Sequence, residues 1–169
     1  MSRADAAARE LVTRFGLTDI PVDPEEVAHK LDADVIRQPF PHELSGMLLR
    51  RDGRFVIGLN AGHEPARQRF ALAHVVGHLQ MHRGRDLLLD TAARYSHGSM
   101  PSMPTDREEA EANRFAAALL APDTTVRRAA VEADFRTGAQ LVDLLAPRFG
   151  LTAAAMGYRL ISLGVIVDC

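Results

Sequence analysis

The sequence predicts an α+β fold, mostly helical, with a small β-sheet or hairpin in its first half. Three observations carry that expectation. Helical apolar spacing occupies both ends of the chain, two apolar runs near residue 50 are joined by an Asp-Gly pair, and 169 residues suit one domain better than two. A chain of this length buries roughly two thirds of its unfolded surface. It needs no disulfide, and with Cys169 as its one cysteine it cannot form one internally.

Each element has its own local cause. Ala6 to Phe15 reads as an amphipathic helix with apolar positions at Leu11, Val12 and Phe15 and a stop at Gly16. Asp23 caps a second helix, with Pro24 in its first turn and Glu26 three residues after the cap, ending near Leu31. Ala33 to Arg37 is a short strand. Gly46-Met47-Leu48-Leu49 and Phe55-Val56-Ile57-Gly58-Leu59 flank Asp52-Gly53, a strong hairpin signal. Pro65 starts a long helix to about His82, closed by Gly84. Residues 85–104, with Gly98, Pro101, Pro104 and several serines, read as a long loop, of a length that often serves as a lid. Thr105 to Ala121 is helical and stopped by Pro122, and helices are expected near 123–133, 138–146 and 152–163. These parts are expected to make one domain over 1–169: helices and sheet at 1–63, the histidine helix and its successor at 64–122, and C-terminal helices at 123–169.

Composition excludes several function classes. The net charge is −2 and Lys30 is the only lysine. No basic surface points to nucleic acid, so no direct contact with it is expected. The start of the chain lacks the apolar core of a signal peptide, and no apolar run approaches the roughly 18 residues of a membrane span. A single terminal cysteine fits a reducing cytoplasm.

The chemistry concentrates in one helix. His74 and His78 are four residues apart, so their rings lie one above the other on the same face. Such a pair can bind one divalent ion at about 2.0–2.1 Å, by default zinc. A bare pair of this kind is more often two ordinary helix histidines. Here Phe70, Leu72, Ala73, Val75, Val76 and Leu79 make the surroundings apolar, and unpaired buried polar groups cost roughly 1–3 kcal/mol each. A third ligand is expected from the helix after Thr105. Glu108 is taken by a capping box with Thr105, and Glu111 points about 160° from Glu109. Glu109 is therefore best placed to face the core, with Asn113 one turn later to orient a ligand. The bland alternative is three solvated glutamates.

At this point the chain resembles the ImmA/IrrE family of zinc metallopeptidases. RFALAHVVGHLQMH (69–82) matches the family's first signature, in which LAHE and GH precede a further histidine, and EAEANRFAAALLAP (109–122) matches its second. LSGMLLRRDGRFVIGLN (44–60) is similar to the segment ahead of the first histidine, and FGLTAAAMGYRLISLGVI (149–166) to the C-terminal helices. The resemblance implies a thermolysin-like (gluzincin-like) core, one zinc ion on His74, His78 and Glu109, endopeptidase activity, and a helix-turn-helix repressor as protein partner in transcription regulation.

One position departs from that pattern. The family has Glu directly after the first histidine, and this chain has Val75. In H-E-x-x-H enzymes that glutamate is the general base, and losing such a base costs about 10²–10⁴ in rate. Three readings of this position stay open: a pseudo-peptidase that keeps its metal, an active peptidase with another base (Tyr95 or His97 in the loop, or Glu43 near the hairpin), and a valine that is not the natural residue; for the chain as a whole, a metal-free structural or interaction domain is the further alternative. His82 stands about 12 Å along the axis from His74. It therefore reads as a residue beside the ligands or as a cation at the helix C-terminus. His29, His42 and His63 are expected at the surface. Arg67 and Arg69 are expected to serve packing or capping.

Overall fold

The computed structural model describes residues 1–84, 86–91 and 104–167. In these residues α1 (Arg3–Phe15), α2 (Pro24–Lys30), β1 (Ala33–Gln38), β2 (Leu44–Arg51), β3 (Arg54–Asn60), α3 (Pro65–Met81), β4 (Leu87–Thr91), α4 (Asp106–Leu120), α5 (Asp123–Glu132), α6 (Gly138–Phe149) and α7 (Ala153–Ser162) follow one another. The class is α+β, as the sequence predicts. No helix among the described residues is long and apolar enough to cross a membrane.

Turn chemistry sets the sheet. Asp52 and Gly53 both have positive φ, 51° and 77°. Two such residues in a two-residue loop form the turn whose twist matches the strands it joins. β2 and β3 are therefore an antiparallel hairpin. β1 lies parallel to β3 on its other side, and β4 runs antiparallel to β2, giving the order β1-β3-β2-β4.

Three boundaries differ from the sequence expectation. α1 begins at Arg3 because Ser2 and Asp5 close a capping box ahead of Ala6. α6 continues past 146 to Phe149. Its Pro147 lies in the last turn, and the Gly150 and Leu151 N–H groups close the helix on the carbonyls of Pro147 and Ala146. The segment expected to be loop throughout 85–104 contains β4. Leu87-Leu88-Leu89 has no polar–apolar alternation to mark it, and what recruits it is the open edge of β2.

α3 is the centre of the molecule. Every residue from Ala71 to His78 is buried, so the helix is a core element rather than an amphipathic surface one. Ile57 and Leu59 of β3, Leu11 of α1 and Phe115, Leu119 and Leu120 of α4 belong to the same core. Arg69, near the start of α3, donates to the carbonyls of Val22 at 2.6 Å and Gly150 at 3.2 Å. These bonds tie the start of α3 to the backbone at Val22 and Gly150.

Arg159 ties the C-terminal helices to the N-terminus. Its buried guanidinium donates to Asp5 Oδ1 at 3.0 Å and to the Ala121 carbonyl at 2.9 Å. Burial opposes charge on Asp5, but Ser2 and Arg159 together hold its carboxyl below the ordinary range. Asp5→Asn should therefore cost about 2–3 kcal/mol at neutral pH, somewhat less than removing a fully buried partner. The sign with pH follows from the depressed value. The stabilisation is complete above the ordinary aspartate range near 3.9 and is lost as pH falls through the folded value. Urea midpoints of the parent and variant should converge in acid.

Candidate metal centre

α3 stacks His74 over His78, and their Nε2 atoms lie 3.1 Å apart. α4 crosses α3 and brings Glu109 to the same point. Its Oε2 is 3.4 Å from His74 Nε2 and its Oε1 is 3.2 Å from His78 Nε2. Among the described residues this is the one group of three such side chains whose donor atoms all lie within 4.8 Å of one another. Four ligands held tetrahedrally at about 2.0–2.1 Å are separated by about 3.3 Å. The two Glu109 distances are to different oxygens; with one oxygen taken, the three donor atoms still lie within 4.8 Å of one another, close enough for the cluster to hold such an ion.

The close crossing of the two helices depends on Gly77. A Cβ there would stand 2.9 Å from Phe115 Cδ1, in the packed core. Gly77→Ala should destabilise the fold by about 1–3 kcal/mol, read as a lower urea midpoint.

Hydrogen bonds aim the ring nitrogens. Asn113 Oδ1 is an acceptor, so the His74 Nδ1–H donates to it at 2.9 Å and turns Nε2 toward the cluster. Glu111 accepts from the His82 Nε2–H at 3.0 Å. His82 Nδ1 lies 2.9 Å from His78 Nδ1, which turns the His78 Nε2 toward the cluster as well. Arg107 and Arg3 hold Glu111 from outside, and Arg3 also donates to the Met81 carbonyl at the end of α3. The outer partners thus hold both Nε2 atoms toward Glu109, where a bound cation would take their lone pairs.

Proton affinities respond to the same crowding. Burial pushes the Glu109 carboxyl up, but hydrogen bonds and charge from His74 and His78 outweigh it and bring it down to about 2. Burial disfavours charge on His74, yet Glu109, Asp90 and Asn113 raise it above an ordinary imidazole. Burial, together with its neighbours His74 and His82, lowers His78 despite the pull of Glu109.

The sequence reading does not include Asp90. It stands on β4, with Oδ1 3.8 Å from His74 Nε2 and its side chain 16% exposed. Burial raises its carboxyl. It lies in the stretch read as loop, and only the strand pairing shows which way it faces. Val75 is fully buried, and its Cγ2 lies 3.1 Å from where a Cβ on Gly46 would be. Tyr95 and His97 lie outside the described residues. Glu43 is exposed and is not among the residues lining the cavity that opens on His74. His29 and His42 are exposed, but His63 is buried, against expectation. Its Nε2–H donates to the His42 carbonyl at 3.0 Å, in the loop that Asn60 ties to the sheet.

A cavity of about 850 Å³ opens on the centre. His74, Asp90 and Glu109 form its polar end, Phe70, Ala117 and Ile161 contribute apolar wall, and Arg67 and Arg114 also line it.

A buried His-x-x-x-His helix crossed by a glutamate-bearing helix, beside a small mixed sheet, is the build of a metallopeptidase-family domain. The chain belongs to the Peptidase M78 family, the IrrE N-terminal-like domain, whose signature matches residues 28–161. It is 28% identical over 122 residues to an uncharacterized immunity region protein 2 of Bacillus phage phi105, covering 72% of this chain and 70% of that one. Its fold is similar to that of a Mycobacterium tuberculosis transcriptional regulator, with a TM-score of 0.64 at 19% identity, over 95% of this chain. The chain spans about half of that protein, 47% of its length.

Proposed function

We propose that this chain is a zinc-binding, regulatory member of its family that engages a protein partner of the helix-turn-helix repressor type and has lost most or all peptidase activity. One observation carries the reading. The three donors and the hydrogen bonds that aim them are intact, while the position after His74 holds a buried valine. A bound zinc ion supplies Lewis acidity to a carbonyl or to water. His74, His78 and Glu109 would hold it, Asn113 and His82 would fix the two rings, and Val75 offers no atom to accept a proton.

The partner reading draws on two supports. The relatives' names, an immunity region protein and a transcriptional regulator, belong to regulation. The cavity beside the centre combines apolar wall with Arg67 and Arg114, which suits a polypeptide segment carrying apolar and acidic side chains. The test is to load the purified chain with zinc, mix it with a helix-turn-helix regulator encoded beside it, and follow binding and cleavage together by mass spectrometry. Zinc-dependent binding with the regulator left intact is the expected result. Cleavage at a defined site, abolished by a chelator, would overturn the loss of activity. A chain that neither retains nor takes up zinc would overturn the metal centre.

A further inference from the structure

We propose that Asp90 of β4 is a fourth protein ligand to the ion on His74, His78 and Glu109, closing the centre to water. The inference rests on the zinc reading above and deepens it.

Strand geometry aims Asp90 at the site. Side chains two apart on a strand share a face, and Leu88, two residues before Asp90, is buried in the core. Asp90 is therefore carried on the helix-facing side of the sheet. Its register partner on β2 is Gly46, which lies beneath Val75, next to His74 in the chain. The result is an Asp90 oxygen 3.8 Å from His74 Nε2. A tetrahedral neighbour would stand about 3.3 Å away. Asp90 stands outside the 4.8 Å group formed by the other three donors, so ligation needs a larger inward swing of its carboxylate, made about the broad terminal torsion of an aspartate.

Charge balance supports the same assignment. Asp90 and Glu109 bring two carboxylates to a mostly buried wall, and the compensating charge that reaches Asp90 comes from His74, His78 and Arg67. Two carboxylates beside two neutral imidazoles match one divalent cation, whereas paired carboxylates without a cation are costly to bury. Zinc sites with four protein ligands are structural, and catalytic ones keep a position open. A closed centre is also what a chain without a base at position 75 can tolerate, because no water there has to be activated.

The experiment uses the full chain and zinc itself. Zinc affinity is measured by chelator competition for the parent, Asp90→Asn and His74→Ala, the cobalt-substituted spectrum is recorded for each, and the zinc-loaded parent is crystallised. Asp90→Asn is expected to bind zinc about 10–100-fold more weakly and to shift the cobalt bands, and the crystal to show an Asp90 oxygen at about 2.0–2.2 Å from the ion. Unchanged affinity and spectrum in Asp90→Asn, or an Asp90 carboxylate beyond about 3 Å in the crystal, overturns this inference while leaving the three-ligand centre standing. A parent that binds no zinc overturns both. The crystal needs no variant, so it decides the matter even if Asp90→Asn fails to fold.

Discussion

The double variant Val75→Glu/Asp90→Asn is expected to hydrolyse its protein partner at least about 10²-fold faster than the parent chain, with Val75→Glu alone falling between the two. Val75 is fully buried against Gly46. The residue before Gly46, Ser45, lines the cavity that opens on His74. A glutamate at 75 extends past the valine γ-carbons, over a strand position that has no side chain, toward that cavity. Burial raises the proton affinity of such a carboxyl, which brings it nearer the neutral range that suits a general base. While Asp90 is present it both closes the fourth position and places a second negative charge nearby, so the single variant gains less. The fold should lose about 1–3 kcal/mol in either case, because a carboxylate replaces a methyl pair in the core. Cleavage is followed by mass spectrometry on protein of matched zinc content. A folded, zinc-loaded double variant that cleaves no faster than the parent removes position 75 from the explanation. A single variant as fast as the double would mean that the fourth position was open all along.

The parts of this site that can be read from the sequence are those fixed by helical geometry. His74 and His78 share a face by their spacing alone, and Glu109 separates from Glu108 and Glu111 because a capping box and a 100° step give each glutamate a different job. The structure gives Glu108 to Thr105 and Glu111 to His82. Caps and turns are similarly local, which is why the Asp52-Gly53 hairpin and the starts of α2, α3 and α4 are legible. Asp90 is not, because its position depends on β4 adding to an edge about forty to fifty residues upstream in the chain, and three consecutive leucines carry no periodicity to announce a strand. The burial of His63 escapes for the same reason: Asn60 gathers the 40–44 loop over it through long-range hydrogen bonds. The parallel pairing of β1 with β3 likewise has no sequence mark, since parallel and antiparallel partners draw on the same apolar residues.

Glu109→Gln should lower zinc affinity by at least about 10²-fold, because even partners that only orient a ligand are worth 10–100-fold. The amide keeps the shape of the side chain, so α4 should still pack on α3 and the fold should persist. What changes is charge at the centre: a neutral oxygen replaces the carboxylate that completes the donor triangle with His74 and His78. Thermal unfolding provides an independent readout, since zinc at about 100 times its dissociation constant stabilises a folded chain by about 2.7 kcal/mol. That increment should appear in the parent and nearly vanish in the variant at the same zinc concentration. Glu108→Gln is the matching control. Glutamine also serves at the third position of a capping box, so this variant should keep both its stability and its response to zinc. Equal loss of zinc binding in the two variants would show that total acidity near the start of α4, rather than one carboxylate aimed at two imidazoles, attracts the ion.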